Sequence, residues 1–298
     1  MYEHCLSPVE QPATGSADAG AEPLHPDTAL EPEGKTTHSS HIALVSPDWW
    51  EMYWQNKLSL PKTFDPSLAL DRCIARSIED FLPYDRRKSM IEVGCCPGKW
   101  MIYFHETYGY RVSGIDYLPA GIEYTRTNLA LNHVAYEHLI CKNILEWQTE
   151  QRYDIVFSVG FIEHFTDINP VLEKHLYLTA PGGYIIVGLP RFHSLIYILQ
   201  SLFDAVSQDK ILPSHNLDVM NLSVLRNFAT SRSLKIHFLD YIGGFLPVLL
   251  KTGAAGQLAE TVRRWIVDWR DNTRALDRLN HSLISNYILA IFQRPNER

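Results

Sequence analysis

Long apolar runs are missing from this 298-residue sequence. No segment approaches the roughly 20 apolar residues that a membrane-crossing helix needs, so no membrane partner is expected. A basic start followed by an apolar run is missing as well, so no secretory leader is read and a cytoplasmic location is the expectation. Positive charge is in deficit: 27 Lys and Arg stand against 34 Asp and Glu, a formal net charge of −7. A protein that tracks phosphates needs a basic face, so nucleic acid is not an expected partner. The five cysteines (Cys5, Cys73, Cys95, Cys96 and Cys141) are odd in number and lack the paired spacing of a zinc knuckle. They read as thiols in a reducing compartment. Two phosphate signatures are also absent, the Gly-x-Gly-x-x-Gly turn and the Gly-Lys-Ser/Thr loop.

What is present is enough apolar material for a sizeable core, 46% of residues, with 11% aromatic. Residues 1–45 are rich in Pro, Gly, Ala, Ser, Thr and Glu without apolar period, and are expected to be a disordered tail. A helical cap is expected over 46–85. It starts at Ser46-Pro47-Asp48, and Trp49, Trp50, Tyr53 and Trp54 follow within one short stretch. So many aromatics cannot all face water; they must pack on the main domain or roof a site. A second helix is expected from Pro66 to about Phe81.

From 86 to 298 short apolar runs alternate with helical stretches. Ser89–Val93, Arg111–Ile115, Glu137–Cys141, Tyr153–Val159 and Tyr184–Leu189 read as strands, and Trp100–Tyr108, Ala120–Asn132 and Asn169–Leu178 as helices. Alternation of this kind implies an α/β fold with parallel strands and crossover helices on both faces, a doubly wound sheet. Leu234–Tyr241 and Asn286–Phe292 read as two further strands. Between them, 244–284 is expected to be a helical insertion with a stripe of Leu258, Val262, Ile266, Trp269, Leu276, Leu279 and Leu283. Core packing or a subunit contact suits that stripe, so homo-oligomers through the cap or through 255–283 are admitted.

Chemistry concentrates in Ile91-Glu92-Val93-Gly94-Cys95-Cys96-Pro97-Gly98-Lys99-Trp100. It puts a carboxylate at the end of a strand, then a turn with two glycines, then a helix. A ligand with a cationic amino-acid end suits Glu92 better than a pyrophosphate does. Gly114-Ile115-Asp116-Tyr117 ends the next strand, 24 positions beyond Glu92, where an Asp can accept bonds from both hydroxyls of a ribose. Asn143 and Ile144 follow the third strand, where an adenine edge could be read.

The stretch from about Ser89 to Leu189 resembles the class I S-adenosylmethionine-dependent methyltransferases, in particular the small-molecule type with a Glu-His pair after the fourth strand. The matching positions are Glu92, Gly94 and Gly98, then Asp116, Tyr153-Asp154-Ile155-Val156-Phe157 as the fourth strand, Ile162-Glu163-His164-Phe165 as the loop after it, and Pro181-Gly182-Gly183 as the turn before the fifth. Cys96 departs from the family, whose loop usually carries a Gly there. The resemblance implies a Rossmann-like sheet of seven mostly parallel strands, the last inserted antiparallel. It also implies S-adenosylmethionine across the strand ends, with Glu92 and the loop at the methionine end and Asp116 at the ribose. Cofactor contacts are expected from Tyr53, Glu92, Gly94, Cys95, Gly98, Asp116, Tyr117, Asn143, Ile144, Val159 and Gly160.

Methyl transfer to a small organic acceptor through oxygen, nitrogen or carbon is the implied activity, and specialised metabolite biosynthesis its expected setting. His164 is the leading proton acceptor, with Glu163, His193 and His215 as further catalytic candidates. Trp54, Phe165, Arg191, Tyr197 and Asn216 are the substrate-side candidates, the last three within an acceptor-binding insertion at 191–220. Some relatives hold a divalent cation through the Glu-His pair and a carboxylate three positions earlier. Gly160 stands at that position, and no metal is expected, although Glu163, His164 and a distant His could compose a site. Two rival readings are a nicotinamide-dependent oxidoreductase, which lacks its glycine turn here, and a cofactor-binding protein of the same fold with non-methylating chemistry.

Overall fold

The computed structural model describes residues 43–57, 59–206, 210–245, 265, 268–270, 272–283 and 285–296. Among these, one sheet contains β1 (Ser89–Val93), β2 (Arg111–Asp116), β3 (His138–Cys141), β4 (Tyr153–Val159), β5 (Thr179–Pro190), β6 (Lys235–Phe245) and β7 (Ser285–Gln293). The order across it is β3-β2-β1-β4-β5-β7-β6. β1 to β5 run parallel, and β7 inserts antiparallel between β5 and β6. Strand order thus reverses between β1 and β4, which opens a crevice at their carboxyl ends.

The helices are α1 (Pro47–Lys57), α2 (Ala69–Glu79), α3 (Lys99–Tyr108), α4 (Pro119–Leu131), α5 (Asn169–Leu178), α6 (Ser194–Val206) and α7 (Leu222–Ser231). α4 and α5 each carry a proline in the first turn, where the missing N–H has no helical partner to lose. Central strands are covered on both faces, so β1 is buried at every position. On one face Ile74 and Ile78 of α2 and Met101 and Phe104 of α3 pack with Phe157 and Ile291. On the other, Val171 and Leu172 of α5 and Leu225 of α7 pack with Val187 and Phe292. Each such fully buried side chain stabilises the fold by about 1.5–3 kcal/mol relative to exposure.

Several expectations change. α2 is more than a lid: its buried side helps build the main core and its first turn reaches the cavity, whereas α1 lines the cavity without a share in that core. Within the expected tail, 1–42 lie outside the described residues, while 43–45 have a fixed place. Ala43 bridges to Phe165, and the Leu44 N–H donates to the His164 carbonyl at 2.8 Å. Pro181-Gly182-Gly183 is a bulge inside β5 and not a turn before it, because Thr179 pairs with Tyr153 and Tyr184 with Ile155. Of the stripe expected in 244–284, Leu258, Val262 and Ile266 lie outside the described residues. Trp269, Leu279 and Leu283 are exposed there. No helix of the described residues is long and apolar enough to cross a membrane.

Candidate active site

A cavity of about 810 Å³ opens at the carboxyl ends of β1, β2, β4 and β5. That volume lies within the range of small-molecule and cofactor sites. Its floor begins at the turn after β1. Gly94 has φ +70°, and a Cβ there would stand 2.5 Å from the Phe161 ring. Gly98 starts α3 at φ +83°, where a Cβ would stand 2.9 Å from Thr125 Cγ2. Both turns therefore exclude a side chain through backbone conformation and space together. Gly94, Cys96 and Pro97 line the cavity.

Asp116 closes β2 in the cavity wall. Its Oδ1 accepts the Leu118 N–H at 3.0 Å and its Oδ2 the Cys96 N–H at 3.4 Å. A carboxylate has about four acceptor directions, so capacity for two hydroxyl donors is left. Burial raises its pKa to about 6 against the opposing effect of those N–H groups. Tyr117, Asn143, Ile144, Val159 and Gly160 line the same cavity. Asn143 spends its Oδ1 on the Leu145 N–H at 3.0 Å.

The opposite end is aromatic. Trp49, Trp50, Tyr53 and Trp54 of α1 stack and edge against one another, and Trp50 meets the His164 ring edge-on at 4.8 Å. Below them lie Glu163, His164, Phe165 and His215. His164 Nδ1 contacts the Ser214 carbonyl oxygen at 2.7 Å and His215 Nδ1 the Ile211 carbonyl oxygen at 2.8 Å. A carbonyl only accepts, so each Nδ1 carries the proton and each Nε2 keeps its lone pair. Burial and the neighbouring His215 push the His164 pKa down to about 3, which makes the neutral ring the resting form and a weak proton acceptor. Burial raises the Glu163 carboxyl to about 8, and its Oε2 has no hydrogen-bond partner among the described residues. Glu163, His164 and His215 each present one ligand atom, all within 4.8 Å of one another.

Seven expected site residues fall elsewhere. Glu92 is buried behind the wall, where its Oε2 accepts the Met101 N–H of α3 at 3.2 Å, and burial raises its pKa to about 8. Cys95 points into the core against Gly114, and Gly98 shapes the turn from behind. His193 and Tyr197 are exposed outside the cavity. Arg191 is buried, donates to the Ser282 and Ser285 carbonyls and lies over the Tyr241 ring, so it ties β5 to the approach to β7. Asn216 donates to the Phe165 and Thr166 carbonyls at 2.9 and 3.0 Å, so it fastens the insertion to the loop after β4.

Other wall residues carry no signal in the sequence. Leu118, Phe161 and Tyr287 reach the cavity through loop and strand geometry. So does the pair Lys99–Asp71, with Nζ 2.6 Å from Oδ1 across α3 and α2. Among the described cysteines, Cys96 is the one that lines the cavity.

Residues 90–183 match the model of a methyltransferase domain family. That match runs from β1 into the first part of β5, the stretch whose strand ends carry the cavity. Among curated proteins it is similar to a ubiquinone biosynthesis O-methyltransferase of Bradyrhizobium sp. (strain ORS 278), 28% identical over 33% of this chain and 38% of that one. It is also similar to pavine N-methyltransferase of Thalictrum flavum subsp. glaucum, 23% identical over 51% of this chain and 43% of that one. The chain thus spans less than half the length of these curated relatives. The fold is shared with a solved structure described for the conversion of a disulfide bond into a thioacetal group during echinomycin biosynthesis. There the TM-score is 0.54 at 14% identity, over 85% of this chain and 94% of that one.

Proposed function

We propose that this protein transfers the methyl group of S-adenosylmethionine to a small organic acceptor held at the aromatic end of the same cavity. The observation that carries the reading is Asp116, a buried carboxylate with acceptor capacity left, at the end of the strand beside a glycine turn. In this reading Asp116 accepts the ribose hydroxyls, the Gly94–Pro97 turn supports the methionine end, and Asn143 and Ile144 border the base. Tyr53 and Trp54 close over the bound molecules. The sulfonium supplies an activated methyl: the acceptor's electron pair forms the new bond while the carbon–sulfur pair returns to sulfur, leaving a neutral thioether.

The chain's own contribution is alignment and exclusion of water, which α1 and the wall of Phe161, Phe165 and Phe192 support. His164, Glu163 and His215 face the acceptor and orient it. A cytoplasmic setting is supported by the free thiols of Cys73, Cys95, Cys96 and Cys141. An uncharged or mildly polar metabolite, and not a polyanion, suits the apolar wall and the net charge of −7. Calorimetry with S-adenosylmethionine, S-adenosylhomocysteine and NAD tests the reading. Binding of the first two and not the third is expected; binding of NAD alone at millimolar concentration overturns it.

A further inference from the structure

The three side chains under the aromatic cap are arranged for a role that acceptor alignment does not require. His164 comes from the loop after β4 and His215 from the insertion after β5, far apart in sequence. The chain holds them together by main-chain bonds: the Asn216 N–H donates to the Glu163 carbonyl at 2.7 Å, and the Asn216 side chain grips the Phe165 carbonyl. Both imidazoles are fixed in the same tautomer by backbone carbonyls, Ser214 for His164 and Ile211 for His215. A carbonyl on Nδ1–H is the usual outer support of a histidine that binds metal through Nε2.

Beside the two rings, whose centroids are 4.6 Å apart, sits Glu163, 1% exposed, with Oε2 lacking any hydrogen-bond partner among the described residues and Oε1 3.8 Å from His164 Nε2, too far for a hydrogen bond. A buried carboxylate oxygen left so is costly unless something positive or a donor meets it. All three ligand atoms lie within 4.8 Å of one another and all three residues line the cavity, so an ion has a path in and an open side toward the acceptor. We propose that Glu163, His164 and His215 form a binding site for one divalent transition-metal ion at the acceptor end of the cavity.

Two imidazoles and one carboxylate select the metal class. Imidazole nitrogen suits zinc and its first-row neighbours, whereas magnesium and calcium prefer all-oxygen sets. Three protein ligands with an open position are also the composition of zinc sites that admit a further oxygen ligand. The expectation of a metal-free pair rested on Gly160, which removes a carboxylate from the local motif. His215 supplies the missing donor from a different part of the chain.

The test uses the full chain, stripped with a chelator, dialysed, and titrated with Zn²⁺ by calorimetry and with Co²⁺ by visible absorption. One ion per chain is expected, with cobalt bands of a nitrogen- and oxygen-ligated site. His215→Ala and Glu163→Gln should each weaken Zn²⁺ binding by at least about tenfold. His193→Ala, an exposed histidine outside the cavity, should leave it unchanged. No saturable uptake by the wild-type chain overturns the proposal, as does uptake that survives both site variants. S-adenosylhomocysteine affinity is measured on the same samples: it reports that the variants are folded, and its absence in the wild type would sink the methyl-transfer reading while leaving the ion titration interpretable.

Discussion

Asp116 sits in the cavity wall with two main-chain N–H groups on its carboxylate, and burial still holds its pKa near 6. In the proposed reading, in which Asp116 accepts two ribose hydroxyls, replacing it with Ala removes the acceptor of two charge-assisted hydrogen bonds, each worth about 1.5–3 kcal/mol. S-adenosylhomocysteine affinity should fall by at least about tenfold with the fold intact; an unchanged dissociation constant in calorimetry would move the ribose site away from β2. The raised pKa adds a pH dependence with a definite sign. The ionised carboxylate is the form that accepts both hydroxyls, so affinity should be flat above about pH 6 and weaken as pH falls through it. Asp116→Asn should be weaker throughout and lose that slope. Asp116 was legible in the sequence because an acidic residue ending the second strand has only the crevice beyond it. Glu92 was misplaced for a physical reason: a carboxylate at a strand end can turn toward a ligand or toward the next helix, and it turned to the free N–H of Met101.

α1 stands over the cavity by its tryptophans and not by a share in the core. Its Trp50 packs on the ring of His164, so Trp50→Ala should cost little stability while opening the acceptor end to water. A drop in kcat/KM of about tenfold or more, with an unfolding midpoint close to wild type, is the expected pair of results. A large loss of stability with unchanged turnover would return α1 to a structural role. The start signal of α1 and the pattern of α2 marked both as helices, but could not tell lid from layer. α2 buries Ile74 and Ile78 in the main core and Arg72 against Asp277, whereas α1 has no comparable buried face. β5 shows the converse error, since Pro181-Gly182-Gly183 reads as a turn until its flanking residues are seen paired with β4.

Distant parts of the chain are joined at Asp277, whose Oδ2 accepts Arg72 Nε and whose Oδ1 accepts Arg270 Nη1, both at 2.9 Å. Arg72 belongs to α2 and Asp277 to the short 3₁₀ turn Arg274–Arg278 ahead of β7, so the cluster binds the start of the domain to its end. All three side chains are buried. Asp277→Ala would leave two guanidinium groups inside without a counter-charge and should cost about 3–5 kcal/mol, read from urea denaturation. A loss below about 1 kcal/mol, the value of an exposed pair, would show that water reaches the cluster.

Local pattern was enough for the alternating elements, the parallel core of the sheet, the glycine turn after β1 and the acidic end of β2. These follow from short-range chemistry: apolar runs bury themselves, glycines take positive φ, and strand ends face the crevice. Local pattern was not enough for which of Glu92, Cys95 and Cys96 faces the cavity, nor for Arg191 and Asn216, which hold the insertion and not a substrate. It also could not bring His215 to Glu163 and His164, because their meeting depends on how the segment after β5 folds back on the loop after β4. A side chain's neighbours across such a gap are set by packing and main-chain hydrogen bonds between remote segments, which no window of adjacent residues contains.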